Sequence, residues 1–256
     1  MNFKREFPFV QIPMKPTFKL TSPETSTEYS LYIEEPKDSP GPWPVVLFMD
    51  GDDQFSAGVA AYKEAHGLGM VAPLLLVGVG YGASYSKPAN KRGRDYTPSA
   101  HSDEPTSGGA AAFYQFVTGT LWNDLSTRYP VDATQRGIAG HSLGSLFVLY
   151  ALLQEPLFFT HYLASAPSIW WDNRNLLKIA AHRYATQSAL PAKLFLSIGE
   201  KDSESMTGDF SLLEQQLTGN PFKGLDIATR LFARRTHFNV LPQAFEAGLS
   251  FLFDPR

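Results

Sequence analysis

Three residue types that can share a proton relay occur in the order serine, acid, histidine: Ser142, Asp202 and His237. Ser142 stands in Gly140-His141-Ser142-Leu143-Gly144, between an apolar run and a long apolar-periodic segment. That context places it at a strand-to-helix turn. Such a turn is tight enough to strain the serine backbone, and flanking glycines remove the Cβ atoms that would clash. The hydroxyl then stands clear of the sheet edge, with the Leu143 amide and the positive end of the following helix close by. The chemistry implied is nucleophilic attack by Ser142 in a hydrolase. A glycine-bounded turn with an idle serine looks the same locally, so the partners must decide.

Of six histidines, His66 and His182 fall within expected helices, His101 in a long loop, His141 inside the elbow and His161 just before a strand. His237 alone follows the last expected strand and precedes the closing helix, where a base can come within hydrogen-bond reach of a serine proton. The acid would hold the imidazole tautomer and stabilise the imidazolium. Asp202 lies further into the loop Gly199-Glu200-Lys201-Asp202, and Glu200 is the alternative. An oxyanion site needs two main-chain N–H groups aimed at the developing charge. Leu143 supplies one, and the turn Asp50-Gly51-Asp52 supplies the other, with the Asp52 amide expected in that role.

The elements that must position these residues are readable in outline. Residues 7–35 alternate apolar and polar around prolines and predict a hairpin; 36–44 is a polar loop. Val45-Val46-Leu47-Phe48-Met49 and the strand within 73–81 are continuous apolar runs, which fit strands buried on both faces. Helices are expected at 55–69, 109–129, 143–154, 174–186, 211–217 and 241–252, and further strands at 137–139, 162–167, 192–198 and 226–233. In 109–129, Phe113, Phe116, Val117, Leu121 and Leu125 share one helical face. The polar stretch 82–107 is long for a structureless loop, and such loops are often functional. Strand and helix alternate from Val45 onward, so a mostly parallel sheet with helices on both faces is expected. Sites in such sheets form beyond the carboxyl ends of the strands, which is where Asp52, Ser142, Asp202 and His237 fall. No repeat or composition break divides the chain, and one domain over 1–256 is the reading.

Composition narrows the classes of partner. The net charge is −3, and no run of like charges suggests a nucleic-acid groove or an anionic membrane surface. The chain has no cysteine, which excludes disulfides, thiolate catalysis and Cys-based zinc sites. No window reaches the roughly 18–20 apolar residues of a membrane span, and Met1–Glu6 lack the apolar core of a signal peptide. A cytoplasmic protein without metal or cofactor is therefore expected.

Four stretches together resemble the putative-esterase family of α/β hydrolases, in its ferric-siderophore esterase branch. They are Leu47–Asp52; Arg94-Asp95-Tyr96-Thr97-Pro98; the elbow together with Ser165-Ala166-Pro167-Ser168-Ile169-Trp170-Trp171-Asp172; and Thr236-His237-Phe238-Asn239-Val240. Their order spans about residues 45–252, and the Arg-Asp-aromatic-Thr-Pro segment is more specific than the elbow. The resemblance implies an α/β-hydrolase fold and esterase activity, with Ser142 as nucleophile and His237 as base. Some members of that branch are held to use a Ser–His dyad, which leaves the need for Asp202 open. Acetyl or feruloyl carbohydrate esterases and simple carboxylesterases also belong to the family, so the resemblance implies a small-molecule or glycan ester as the substrate. For substrate contact, Arg92 and Arg94 are expected to hold an anionic ligand by charge-assisted bonds, and Trp170 and Trp171 to stack on a ring. The competing local readings are an Arg94–Asp95 brace and a tryptophan in the core. A hydrolase-fold protein that binds without catalysis is the alternative from outside enzymology.

Overall fold

The computed structural model describes residues 14–37, 39–219 and 221–255. The eight strands are β1 (Phe18–Ser22), β2 (Thr27–Glu34), β3 (Trp43–Phe48), β4 (Leu75–Gly80), β5 (Val131–His141), β6 (His161–Ser165), β7 (Ala189–Gly199) and β8 (Lys223–Phe232). They form one sheet in the order β1-β2-β4-β3-β5-β6-β7-β8. β1, β2 and β4 pair antiparallel, and every pairing from β4 to β8 is parallel. The fold is that of an α/β hydrolase.

The continuous apolar runs have the expected cause. Side chains of a strand alternate between faces, so a strand covered on both sides must be apolar at every position. In β3, Val45 and Leu47 enter one core cluster, while Val46 and Phe48 enter the other. The first cluster packs α3 (Ala110–Thr118), α4 (Thr120–Arg128), α5 (Leu143–Leu152), α6 (Trp171–Thr186) and α7 (Glu204–Gly219) on the sheet. The second packs α1 (Phe55–Gly67) and α8 (Leu241–Leu252) on the opposite face, where Phe245 and Leu249 are fully buried.

Some boundaries differ from the expectation. The helix expected over 109–129 is two, α3 and α4, broken at Gly119. Its apolar stripe runs on across the break, since Phe113, Phe116, Val117, Leu121 and Leu125 are all buried, so periodicity alone could not reveal it. The loop 82–107 contains a short helix, α2 (Arg92–Asp95). Helix α7 begins seven residues before its apolar stretch at Ser211, and β5 extends well beyond residues 137–139. The hairpin expected from residue 7 is present as β1 and β2, and its first residues lie outside those described. Among the described residues no helix is long and apolar enough to cross a membrane.

Candidate active site

Ser142 caps the N-terminus of α5 with φ 59° and ψ −121°, a conformation that costs a non-glycine residue of order 1–3 kcal/mol. The surroundings enforce it. A Cβ at Gly140 would lie 2.5 Å from the Gly144 carbonyl, and one at Gly144 would lie 3.0 Å from Met49 Cβ. The Ser142 amide donates to the Ser165 carbonyl at 3.0 Å, and its own carbonyl accepts from Leu146 at 3.1 Å. Its hydroxyl is then left at the sheet edge, 3.3 Å from Ser168 Oγ. As the first residue of α5, Leu143 has an amide with no carbonyl one turn back to receive it.

The loops after β7 and β8 carry Asp202 and His237, and main-chain bonds sew them together. Glu200 donates to Phe232 O at 2.9 Å and Lys201 to Arg235 O at 2.7 Å. The loops touch so closely that a Cβ at Gly199 would sit 2.5 Å from the Arg235 carbonyl oxygen. This closeness brings Asp202 Oδ2 to 3.0 Å from His237 Nδ1. The Asp202 side chain is 3% exposed and that of His237 20%. Glu200 points elsewhere: its carboxylate accepts the Arg234 amide at 2.6 Å, so it closes the β8 turn and does not face the imidazole. Beside His237, with ring centres 4.6 Å apart, lies the buried His141. Burial, reinforced by His237 and Arg92, pushes the His141 pKa well below its ordinary value, so this ring is neutral.

The turn after β3 is held from the side by the Arg-x-Arg-Asp-Tyr-Thr-Pro segment. Asp50 is fully buried with φ 54°. Its amide donates to Tyr96 Oη at 2.9 Å, and its carboxylate takes both arms of Arg92 at 2.8 and 2.9 Å. Burial opposes the Arg92 charge, but adjacent Asp50 overrides it and raises the guanidinium pKa. Asp95 is a second hub, accepting from Tyr29 Oη at 2.7 Å, Tyr81 Oη at 3.0 Å and Arg94 Nε at 2.7 Å. Asp52 sits in the braced turn with its carboxylate directed away, accepting from Tyr32 Oη and from the Tyr81 and Gly82 amides.

A cavity of about 420 Å³ opens onto Ser142 and His237. Its walls include Asp53, Gln54 and Tyr85, together with Arg235, Phe238 and Gln243 from the segment that follows β8. Arg92 lines it too, with its charge matched by Asp50. Asp52 and Leu143, expected to offer amides to an oxyanion, are not in the lining. Three expected substrate contacts lie outside it. Arg94 turns to the edge hairpin, bonding Asp95 and Thr27 Oγ1 because both acceptors lie on that side. Trp171 is buried and donates its indole N–H to Ser99 O at 3.1 Å. Trp170 is exposed, but the residues after it, Asp172 to Arg174, adopt left-handed φ values and the ring lies outside the cavity wall. In their place stand Tyr85 and Phe238, 40% and 50% exposed. Arg235 was also missed, although Arg234-Arg235 in the loop that must deliver His237 is a visible sign.

A serine at a strained strand-to-helix elbow, sharing a cavity with a carboxylate-held histidine at the carboxyl edge of a parallel sheet, defines the α/β hydrolases as the class. Within that class, the family described as "Putative esterase" matches residues 22–220, and the chain belongs to it, an ester-hydrolysing enzyme. It is 29% identical over 268 residues to the ferri-bacillibactin esterase BesA of Bacillus subtilis (strain 168), covering 95% of this chain and 91% of that protein. A siderophore triacetylfusarinine C esterase of Aspergillus fumigatus is 32% identical over 154 residues, 58% of this chain and 52% of the relative. The crystal structure of the BES protein from Bacillus cereus superposes with a TM-score of 0.82 at 27% identity, covering 92% of this chain and 94% of that one.

Proposed function

We propose that this chain hydrolyses siderophore-type carboxylic esters through an acyl-enzyme on Ser142, with His237 as general base and Asp202 orienting it. The observation that carries the reading is the joint opening of strained Ser142 and the Asp202-held His237 onto one cavity. His237 Nε2 takes the Ser142 proton as Oγ attacks the ester carbon, while Asp202 accepts the Nδ1 proton bond and stabilises the imidazolium. The Leu143 and Asp52 amides receive the charge that builds on the carbonyl oxygen. Collapse of that intermediate breaks the ester C–O bond, and the imidazolium returns its proton to the leaving alcohol. Water, deprotonated by the same imidazole, then attacks the acyl carbon and releases the acid and free Ser142.

The substrate class is supported by two relatives named for siderophore esters, one of them matched over nearly the full length of both chains. The cavity volume falls within the usual range for small-molecule sites, about 300–1,000 Å³. A hydrolysis panel tests the reading: 4-nitrophenyl acetate and butyrate, acetylated and feruloylated xylan, and iron-loaded catecholate trilactone, each with wild type and Ser142→Ala. Trilactone turnover is expected to exceed the rest by orders of magnitude and to vanish in the variant. Undiminished activity in Ser142→Ala removes the nucleophile assignment, and preference for xylan esters removes the substrate class. The cytoplasmic location expected from the sequence belongs to the same proposal, and cell fractionation checks it.

A further inference from the structure

The cavity wall beside the base carries a cation that no carboxylate among the described residues answers. Of the two arginines that line the cavity among the described residues, Arg92 spends its fork on Asp50 at 2.8 and 2.9 Å. Arg235 instead donates Nε to the neutral side-chain carbonyl of Gln243 at 2.9 Å, and among the described residues it forms no ion pair. That one bond fixes the guanidinium and leaves its two terminal nitrogens available. Gln243 belongs to the first turn of α8, whose start at Leu241 and Pro242 lines the same wall and adds the positive end of a helix dipole. Among the described residues the carboxylate in the cavity lining is that of Asp53, which accepts the Tyr85 amide at 2.8 Å. Phe238, half exposed and edge-on to His237 with ring centres 5.5 Å apart, lines the same cavity.

A planar guanidinium held by a neutral partner at the edge of a reaction cavity suits a planar pair of anionic oxygens, which it can grip through two parallel N–H bonds. We infer that Arg235 is a specificity-determining residue that selects esters bearing a carboxylate next to the scissile bond. The inference rests on the esterase reading above and names the charge of the substrate that this site prefers. Arg235 also has a main-chain role, its carbonyl accepting the Lys201 amide, and a side-chain substitution leaves that bond in place. The loop carrying His237 therefore keeps its frame when the guanidinium is removed.

The test compares mono-4-nitrophenyl glutarate, which carries a carboxylate, with neutral 4-nitrophenyl valerate, on wild type, Arg235→Gln and Arg235→Lys. The ratio of kcat/KM, anionic over neutral, is expected to fall about 10- to 100-fold in Arg235→Gln, the size of one lost charge-assisted contact. Most of the fall is expected in KM for the glutarate. Arg235→Lys keeps the charge without the fork and should recover part of the ratio. Added salt should lower the wild-type ratio and leave that of Arg235→Gln nearly flat. An unchanged ratio in Arg235→Gln, or equal losses on both esters, overturns the inference while leaving the esterase reading standing. Wild type that turns over neither ester, nor the catecholate trilactone, overturns the siderophore-esterase reading itself.

Discussion

Replacing Asp202 by asparagine changes one atom type and tests whether the acid matters to catalysis. The Oδ2–Nδ1 contact is 3.0 Å, and the carboxylate is almost fully shielded from water. A hydrogen bond to a charged group contributes about 1.5–3 kcal/mol, and each 1.36 kcal/mol is tenfold in rate. Loss of the charge alone therefore lowers kcat/KM by about 10- to 150-fold. Asparagine adds a second fault. Its amide N–H, turned to Nδ1, places the imidazole proton on Nε2, so the ring cannot accept from Ser142. A carboxamide in the equivalent place of a serine protease lowers kcat by about 10⁴, so a fall of about 10²–10⁴ is expected here. Asp202→Ala removes the charge without imposing the tautomer and should be the milder variant. The assay is steady-state hydrolysis of 4-nitrophenyl butyrate at pH 8, with thermal melting to check that each variant folds. Asp202→Asn within threefold of wild type would show that a Ser142–His237 dyad suffices and that the 3.0 Å contact is structural.

Arg92→Gln should destabilise the fold by about 3–5 kcal/mol, because it leaves the Asp50 carboxylate buried and without its cation. Urea denaturation measures this, Asp50→Asn/Arg92→Gln should recover part of the loss, and a change below about 1 kcal/mol refutes the clamp. His161 yields a pH prediction. Burial, with a smaller effect of Lys193, lowers its pKa to about 4, so the folded ring stays neutral where the unfolded one takes a proton. Its contribution is complete above about pH 6.5 and is lost as pH falls towards 4. With partial solvent screening the loss is about 1–2 kcal/mol. His161→Phe, which can keep the ring contact with Phe253, should flatten the acid side of a plot of urea midpoint against pH, and an identical slope in both proteins counts against it.

The buried strand β3 was legible because burial on both faces leaves no polar residue in Val45–Phe48, and that signature needs no tertiary information. Ser142, Asp202 and His237 could be read from position, since each follows a strand end in a parallel sheet. The choice between Asp202 and Glu200 could not. It depends on which way two adjacent turns face, and the Glu200 bond to the Arg234 amide is a long-range contact that no local pattern encodes. The lining of the cavity was the least legible part. Arg94 and the tryptophan pair were expected there as chemically apt residues near the motifs. Their directions follow instead from the edge hairpin and from Ser99, distant in sequence. The residues that do line it, Tyr85 and Phe238 among them, lie in loops without periodicity.

The two main-chain bonds between the loops after β7 and β8 make the Asp202–His237 pair a prefabricated part. Its geometry is set by backbone atoms, which side-chain substitutions around it do not remove. The cavity wall at Tyr85 belongs to a different loop, one anchored through Asp53 and Asp52. The relay is thus framed by main-chain bonds, while part of the cavity lining comes from a loop outside that frame. A side-chain change at Tyr85 therefore alters the cavity wall without touching the two bonds that hold the relay.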